Sequence, residues 1–402
     1  MTTLSLVTEQ AIATIDTLNV RADEILPTIA AGAAQRERDR LLPFDAVAQI
    51  AKAGFFTTRI PVRYGGSGGS VKGVIRVLIR IAAADSNVAQ ALRPGFGFVE
   101  GLLASSSEQA ETERERWFAR YLDGIVVGNA GWEVGGANGS ISARIVRDGD
   151  HYRATGSKYY STGSLYADWV SAVALDEEDQ PVSFILPRNR KGLELLDDFD
   201  AMGQRLTASG TTRLNNVQVL ADEIRTRTVE EGKRTVVTPF LQLFLAAVQA
   251  GIARNALNDA IVFANEHARP IKHSSASRSV DDPYVELSVG DISARAFTAE
   301  AVVLHAAESI DRAWAGDLDP HLVDQAAVDV AQAQYISAES ALKAAELVFD
   351  VGGASTTGRG HNLDRHWRNA RTVANHNPRH WKASAVGSWQ LKGTPPPTSG
   401  LF

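Results

Sequence analysis

The stretch HYRATGSKYYSTGSLYADWVSAVAL, residues 151–175, decides the fold. Polar and apolar residues alternate through ADWVSAVAL, β-branched and aromatic residues recur, and an Asp-Gly pair stands just upstream at 148–149. This is the period and punctuation of β-strands joined by tight turns. Its neighbours share the texture: GIVVGNAGW (124–132), ISARIVRDG (141–149), VSFILP (182–187) and TTRLNNVQVL (211–220), with further turn residues at 178–181 and 191–192. The pattern predicts an antiparallel β domain, a small barrel or sandwich, over 123–232.

Outward from this block the period changes in both directions. Upstream, TEQAIATIDTLNVRADEIL places Ile12, Ile15 and Leu18 at helical spacing, and FDAVAQIAKAGFF and GVIRVLIRIAAADSNVAQAL repeat the pattern around a Gly-rich turn at 63–70. An N-terminal helical domain is expected over 1–122. Downstream, three alanine-rich periodic stretches (241–268, 284–315 and 322–351) are long enough for helices of several turns. Alanine lets helices approach closely, which suits a bundle over 233–402. The expected class is mainly α with a central β domain.

Composition excludes several functions. The chain has 402 residues, 44% hydrophobic and 22% charged, with net charge −6 and no cysteine. Mild acidity argues against bulk nucleic-acid or anionic-membrane binding. Without cysteine there is no disulfide, thiolate metal site or cysteine nucleophile. The start MTTLSLVTEQ lacks the basic and apolar blocks of a secretory signal, and the apolar stretch 240–253 is short and broken by Gln. A cytoplasmic protein is expected, with no membrane or nucleic-acid partner. The histidines are not at metal-ligand spacings supported by carboxylates, so no metal site is expected. GGSGG (65–69) fits G-x-S-x-G, but a Ser67 nucleophile would need a strand-to-helix elbow, and the surroundings are helical. No G-x-G-x-x-G follows a strand.

Four stretches carry candidate chemistry: GNAGWEVGG (128–136), GSKYYSTGSLYADW (156–169), DDFDAMGQRLTASGTTRLNNVQV (197–219) and DVGGASTTGRGHNLDRHWRNARTVANHNPRHW (350–381). KYYSTGS offers two aromatic rings and three hydroxyls beside a glycine. Rings can cover a planar cofactor face and hydroxyls can bond its edge. The same residues also suit a strand ending in a polar turn.

Taken together and in this order, these stretches resemble the acyl-CoA dehydrogenase superfamily: an N-terminal helical domain, a central β domain and a C-terminal four-helix bundle. KYYSTG, MGQRLTASGT, SVDDP and above all LDRHWRNART…HNPRHWKASAVG are similar to the flavin-dependent monooxygenase branch, which includes dibenzothiophene monooxygenase and the sulfur-acquisition oxidoreductases. The resemblance implies a flavin between the β domain and the bundle. Tyr160, Ser161 and Thr162 would run along the isoalloxazine, with Thr162 bonding N5. Asn129 and Trp132 would face flavin and substrate, and Arg205 and Ser209 would lie nearby. Arg278 would contact the flavin phosphate across a subunit boundary, and Gly352 and Gly353 would approach a neighbouring subunit's cofactor. The implied cofactor is FMN as FMNH2, with FAD as the alternative. The implied partners are O2, a small apolar and organosulfur substrate, and a separate NAD(P)H:flavin reductase. A homotetramer is implied as well.

The two branches of the superfamily need different chemistry at one spot. A dehydrogenase abstracts a proton with a carboxylate. Laid on its wording R-D-A-R-x-x-x-I-Y-E-G-T, this chain has His376 at the Tyr and Asn377 at the Glu. An amide is no base, so the resemblance implies a monooxygenase in which His376 is the hydrogen-bond or proton partner of a flavin C4a-hydroperoxide. Histidine's ordinary pKa near 6.5 suits that work. An end-of-helix histidine bonding a backbone carbonyl is the structural alternative. An acyl-CoA dehydrogenase with a displaced base, or a flavin-binding protein of reduced activity, are the functional alternatives. Two positions depart from the branch's wording. Its second histidine falls at Gly95, which leaves Arg93, Asn129 or a water as the substitute, or a widened pocket. A further histidine falls at Val373. Arg365, Arg368 and Arg371 lie near one helix face and are read as ion-pairing groups, and Trp367 and Trp381 as packing.

Overall fold

A computed structural model describes residues 14–135, 139–225, 234–398 and 402. Ile12 and the expected 232/233 boundary lie outside the described residues.

Five helices come first: α1 (Ile15–Asp39), α2 (Phe44–Lys52), α3 (Val71–Ala84), α4 (Ser86–Ala104) and α5 (Ala110–Leu122). Side-chain caps set their starts: Thr14 accepts from Thr17 N at α1, Ser70 from Gly73 N at α3, and Asp85 from Asn87 N at α4. Asp85 leaves helical geometry (φ −156°), and so separates α3 from α4.

Eight strands follow: β1 (Val127–Ala130), β2 (Arg144–Asp148), β3 (His151–Lys158), β4 (Trp169–Leu175), β5 (Pro181–Pro187), β6 (Leu193–Leu195), β7 (Thr212–Val219) and β8 (Ile224–Arg225). They pair in the order β6-β7-β3-β2-β4-β5-β8, with β1 on β4. The sheet is mixed, not antiparallel throughout as expected. β1 runs parallel to β4, and β2 meets β4 in parallel at Arg144 and Leu175. Those pairings are made by segments joined through loops and β3, so no local hairpin signal announces them.

The last part holds α6 (Val237–Glu266), α7 (Pro283–Ala315), α8 (Pro320–Leu347), α9 (Asp364–Ala374) and α10 (Arg379–Lys392). The apolar stretch 240–253 is part of the 30-residue α6, which is long and apolar enough to cross a membrane by length and composition; most of its apolar window is buried within the fold. A helix apolar all round is suited to a core, and α3, α4, α7, α8 and α9 surround it. One apolar core joins the N-terminal helices to the bundle, and the sheet has a smaller core of its own, built on residues such as Val170, Phe184 and Val217.

α9 and the turn after it run antiparallel along α6, and the register is fixed by polar contacts. Arg365 bonds Asp259 (2.6 Å), Gln249 Nε2 donates to the Ala370 carbonyl (2.9 Å), and Asn377 Nδ2 donates to Gln242 Oε1. This register brings His376 and Asn377 to the N-terminal half of α6.

Candidate active site

The strand end and turn 159–163 form one wall. Tyr160 has φ +56° and is 53% exposed, and its ring meets Tyr159 edge-on at 4.8 Å. A non-glycine residue in the left-handed region, with its ring held out to solvent, is strained and waits on a ligand or a partner. Thr162, partly exposed, pairs its hydroxyl with Ser209 Oγ (3.0 Å), which pairs with Thr207 Oγ1 (2.7 Å). Thr207 in turn donates to the Gln204 carbonyl (2.9 Å). With Thr207 donating to that carbonyl, Ser209 donates to Thr207 and Thr162 to Ser209, so Thr162 turns an acceptor oxygen outward. Asn129 N donates to the Thr162 carbonyl (3.2 Å), and Tyr159 N to the Trp132 carbonyl (2.9 Å), so β1 and its continuation line the same edge. Trp132 is 38% exposed. The carboxylate after it, Glu133, accepts from Lys158 Nζ (2.5 Å), Ser142 N (2.8 Å) and Ala143 N (3.1 Å). Burial pulls its pKa up, but these donors hold it down to about 2.

The structure thus brings together Asn129, Trp132, Tyr160, Thr162 and Ser209. Ser161 is in the same turn, but its side chain is fully buried, with Oγ unbonded. Arg205 points elsewhere, donating to the Glu37 carbonyl (3.3 Å).

α4 forms the floor. At Gly163 (φ +75°) a Cβ would lie 2.4 Å from the Ala91 carbonyl oxygen, so only glycine permits this approach of turn to helix. On the other side, α4 touches α6: a Cβ at Gly97 would lie 2.6 Å from Leu241 Cδ2, and Arg93 Nε donates to the Leu241 carbonyl (3.2 Å). Gly95 faces neither wall. A Cβ there would lie 2.5 Å from Phe56 Cε1, and its carbonyl accepts from Tyr121 (3.0 Å), within an aromatic cluster of Phe56, Phe96 and Tyr121. The absent histidine therefore widens no pocket; among the substitutes considered, Arg93 is the α4 side chain that turns toward His376.

His376 completes the floor. Its side chain is solvent-exposed, with protein packed closely around it. Burial pushes its pKa down to about 3, with the positive Arg93 next in effect and Lys382 adding to it. The ordinary value near 6.5 does not apply here. At neutral pH His376 is an uncharged hydrogen-bonding group. Its Nδ1 lies 3.4 Å from Asn377 Oδ1, and the residue's own backbone also favours the charged ring, though both effects are smaller than that of burial. Asn377 is buried and turned into the bundle, beside a pocket lined by Gln249, Gln334 and Val373 with room for about one water.

The remaining residues lie apart. Gly352 packs where a Cβ would lie 2.1 Å from Phe263 Cε1, and Gly353 (φ +57°) is exposed. Phe263 is 22 residues along α6 from Leu241, about 33 Å at 1.5 Å per residue. Arg278 is exposed at the head of α7, past the same end of α6. Within one chain these three do not join the Thr162–His376 cleft. Of the arginines on α9, Arg365 pairs with Asp259, and Arg368 with Glu37 (2.5 Å) and Asp364 (2.8 Å), as expected. Trp367 and Trp381 were expected to pack, but they are 41% and 71% exposed. Sequence reading missed Asp259, Gln242 and Ser86, the last of which accepts from Gln204 Nε2 (3.1 Å). The first two sit in an apolar helix pattern, and only the long-range register of α9 gives them partners.

The Acyl-CoA dehydrogenase N-terminal domain model matches residues 19–124, and the Acyl-CoA dehydrogenase C-terminal domain model matches 243–380. A dibenzothiophene monooxygenase of Mycolicibacterium goodii is 27% identical over 384 residues, 90% of this chain and 88% of the relative. A protein named probable FMNH2-dependent monooxygenase SfnC, from Pseudomonas putida, is 28% identical over 87% of this chain and 88% of its own length. The FMN-bound crystal structure of TdsC from Paenibacillus sp. A11-2 superposes with a TM-score of 0.89 at 26% identity, over 96% of this chain and 100% of that one.

Proposed function

This chain belongs to the acyl-CoA dehydrogenase superfamily, in its flavin-dependent monooxygenase branch, and from that premise we propose that it oxygenates a small apolar, organosulfur substrate with reduced FMN and O2. The observation that carries the reading is Asn377. Where a dehydrogenase keeps its carboxylate base, this chain has a buried amide bonded to Gln242. Beside it stand a neutral histidine and an arginine, and neither serves as a base for α-proton abstraction.

The cleft suits a flavin. An exposed indole at Trp132 and an exposed phenol ring at Tyr160 offer apolar faces, and Thr162 offers a hydroxyl held in place by Ser209. Bound reduced flavin would supply the electrons that activate O2. Thr162 and Asn129 would orient it, and His376 would hydrogen-bond the reacting oxygen from the floor. With a pKa near 3, His376 donates through a neutral N–H and draws replacement protons from solvent through its exposed edge. Arg278, Gly352 and Gly353 serve the cofactor of a neighbouring copy in this reading, which calls for a homotetramer. Ser161 serves through its backbone, and Arg205 by holding the 204–206 segment. FMNH2 would come from a separate NAD(P)H:flavin reductase, in the cytoplasm.

The test has two arms. Turnover of a thioether with FMNH2 under 18O2 should place one labelled oxygen atom on sulfur. Anaerobic addition of an acyl-CoA to the protein with oxidised flavin should leave the flavin colour unchanged. Bleaching by acyl-CoA, with no label transferred, would return the chain to the dehydrogenases.

A further inference from the structure

Arg93 is a cation without an acid. It is partly buried on α4, and among the described residues its hydrogen bond is the one from Nε to the Leu241 carbonyl, which leaves the two terminal nitrogens of the guanidinium unbonded there. Among the described residues no carboxylate stands within ion-pairing distance. Several other partly buried arginines are paired, Arg36 with Asp85 (2.8 Å), Arg59 with Glu100 (2.8 Å), Arg190 with Glu223 and Arg365 with Asp259, while Arg21 rests on the Ala53 carbonyl and Arg120 on the rings of Trp117 and Trp169. Neither terminal nitrogen is among the fully occluded unbonded atoms, so both open onto accessible space. Arg93 stands beside the candidate site, for α4 touches the Gly163 turn through Ala91 and Pro94, α6 through Arg93 and Gly97, and His376 feels the Arg93 charge. The two charges that bear most on His376, Arg93 and Lys382, are both positive. Arg379, farther out, is met by Glu339 at 3.8 Å.

A partly buried guanidinium with no counter-charge gains by pairing with an anionic ligand. Burial alone pushes the Arg93 pKa down to about 10, and it is still charged at neutral pH. Two free N–H groups on one planar fork match two oxygens on one atom. The geometry points to Arg93 as an anion anchor: the substrate carries a carboxylate, sulfinate or sulfonate head that the Arg93 fork holds in the cleft, with its apolar part toward Trp132 and Tyr160. This narrows the proposed substrate from apolar to amphipathic. It rests on the monooxygenase reading only for what happens to the bound molecule.

Binding is measured on the full-length flavin-free protein by calorimetry, with propane-1-sulfinate and butanoate as probes and dipropyl sulfide as the neutral control. The anions should bind at least tenfold more tightly than the sulfide. Arg93→Gln should weaken them roughly 10- to 100-fold, the usual worth of a charge-assisted pair, and Arg93→Lys should restore part of the loss. Because Arg93 has no acid to lose, Arg93→Gln should melt at the wild-type temperature or above it. Equal affinities for anions and sulfide, or no change in Arg93→Gln, overturn the anchor; so does a melting temperature several degrees lower, which would reveal a structural partner. The 18O2 experiment is separate: label transfer without anion preference removes the anchor alone, and anion binding without label transfer removes the oxygenation reading alone.

Discussion

Helix α6 meets an arginine and a histidine at each of two places along its length, and the two places differ by one carboxylate. Toward its C-terminus Arg365 and His366 both bond Asp259 Oδ2, at 2.6 and 2.8 Å. Burial raises the Asp259 pKa, but the two partners outweigh it and hold that carboxyl far below its usual range. About 27 Å away along the axis, at 1.5 Å per residue over 18 residues, Arg93 bonds the Leu241 carbonyl and Asn377, next to His376, bonds Gln242, with no acid pairing either cation-forming side chain among the described residues. The same residue types, packed on one helix, make a clasp at one end and, among the described residues, have no carboxylate to share at the other. Charge that is matched inside the chain has spent its interaction energy on the fold; charge left unmatched at an accessible floor is kept for a ligand.

The largest effect is expected where the comparison is broken at its matched end. Asp259→Ala leaves Arg365 and His366 facing each other without a counter-charge, and should lower stability by about 3–5 kcal/mol, the range for removing one member of a buried pair. Urea unfolding at pH 7 measures it. A loss below 1 kcal/mol would mean that the clasp contributes little and that the contrast between the two ends is only apparent.

A smaller effect sharpens the unmatched end. The folded pKa of His376 is near 3, below the 6.5 of an unfolded histidine, so between those values the unfolded chain binds the proton first. Stability should therefore fall as pH drops from 6.5 toward 3. His366, also lowered by burial, adds to the same slope. His376→Gln should flatten part of the decline between pH 7 and pH 5 in urea midpoints; an unchanged slope would mean that His376 titrates in its ordinary range. Asp259 acts lower down: its depressed pKa stabilises the fold above the ordinary carboxylate range and is lost only as pH falls below about 4.

Much of this was legible in the sequence, and the rest was hidden for physical reasons. The succession of helices, strands and helices follows from local periodicity, which a single chain displays in full. Asn377 in place of an acid is a matter of residue identity and could be read directly. The parallel pairing of β1 with β4 could not, because it joins segments about 40 residues apart that no single turn connects. Nor could the direction of Gly95 and Arg93: two residues on a helix are about 200° apart, so which one faces the cleft depends on how α4 is rolled against α6 and the Gly163 turn. Histidine chemistry was read from its ordinary pKa, and the protein packed around the ring moved it.

The central claim is that the unmatched floor handles oxygen, and its most direct test is the timing of peroxide release. The FMNH2-loaded protein is mixed rapidly with O2 in the absence of substrate, and free H2O2 is followed in wild type and in His376→Ala. A long delay before release is expected in the wild type and a much shorter one in the variant, at equal flavin occupancy. Immediate release from the wild type, or the same delay in both proteins, would contradict that claim.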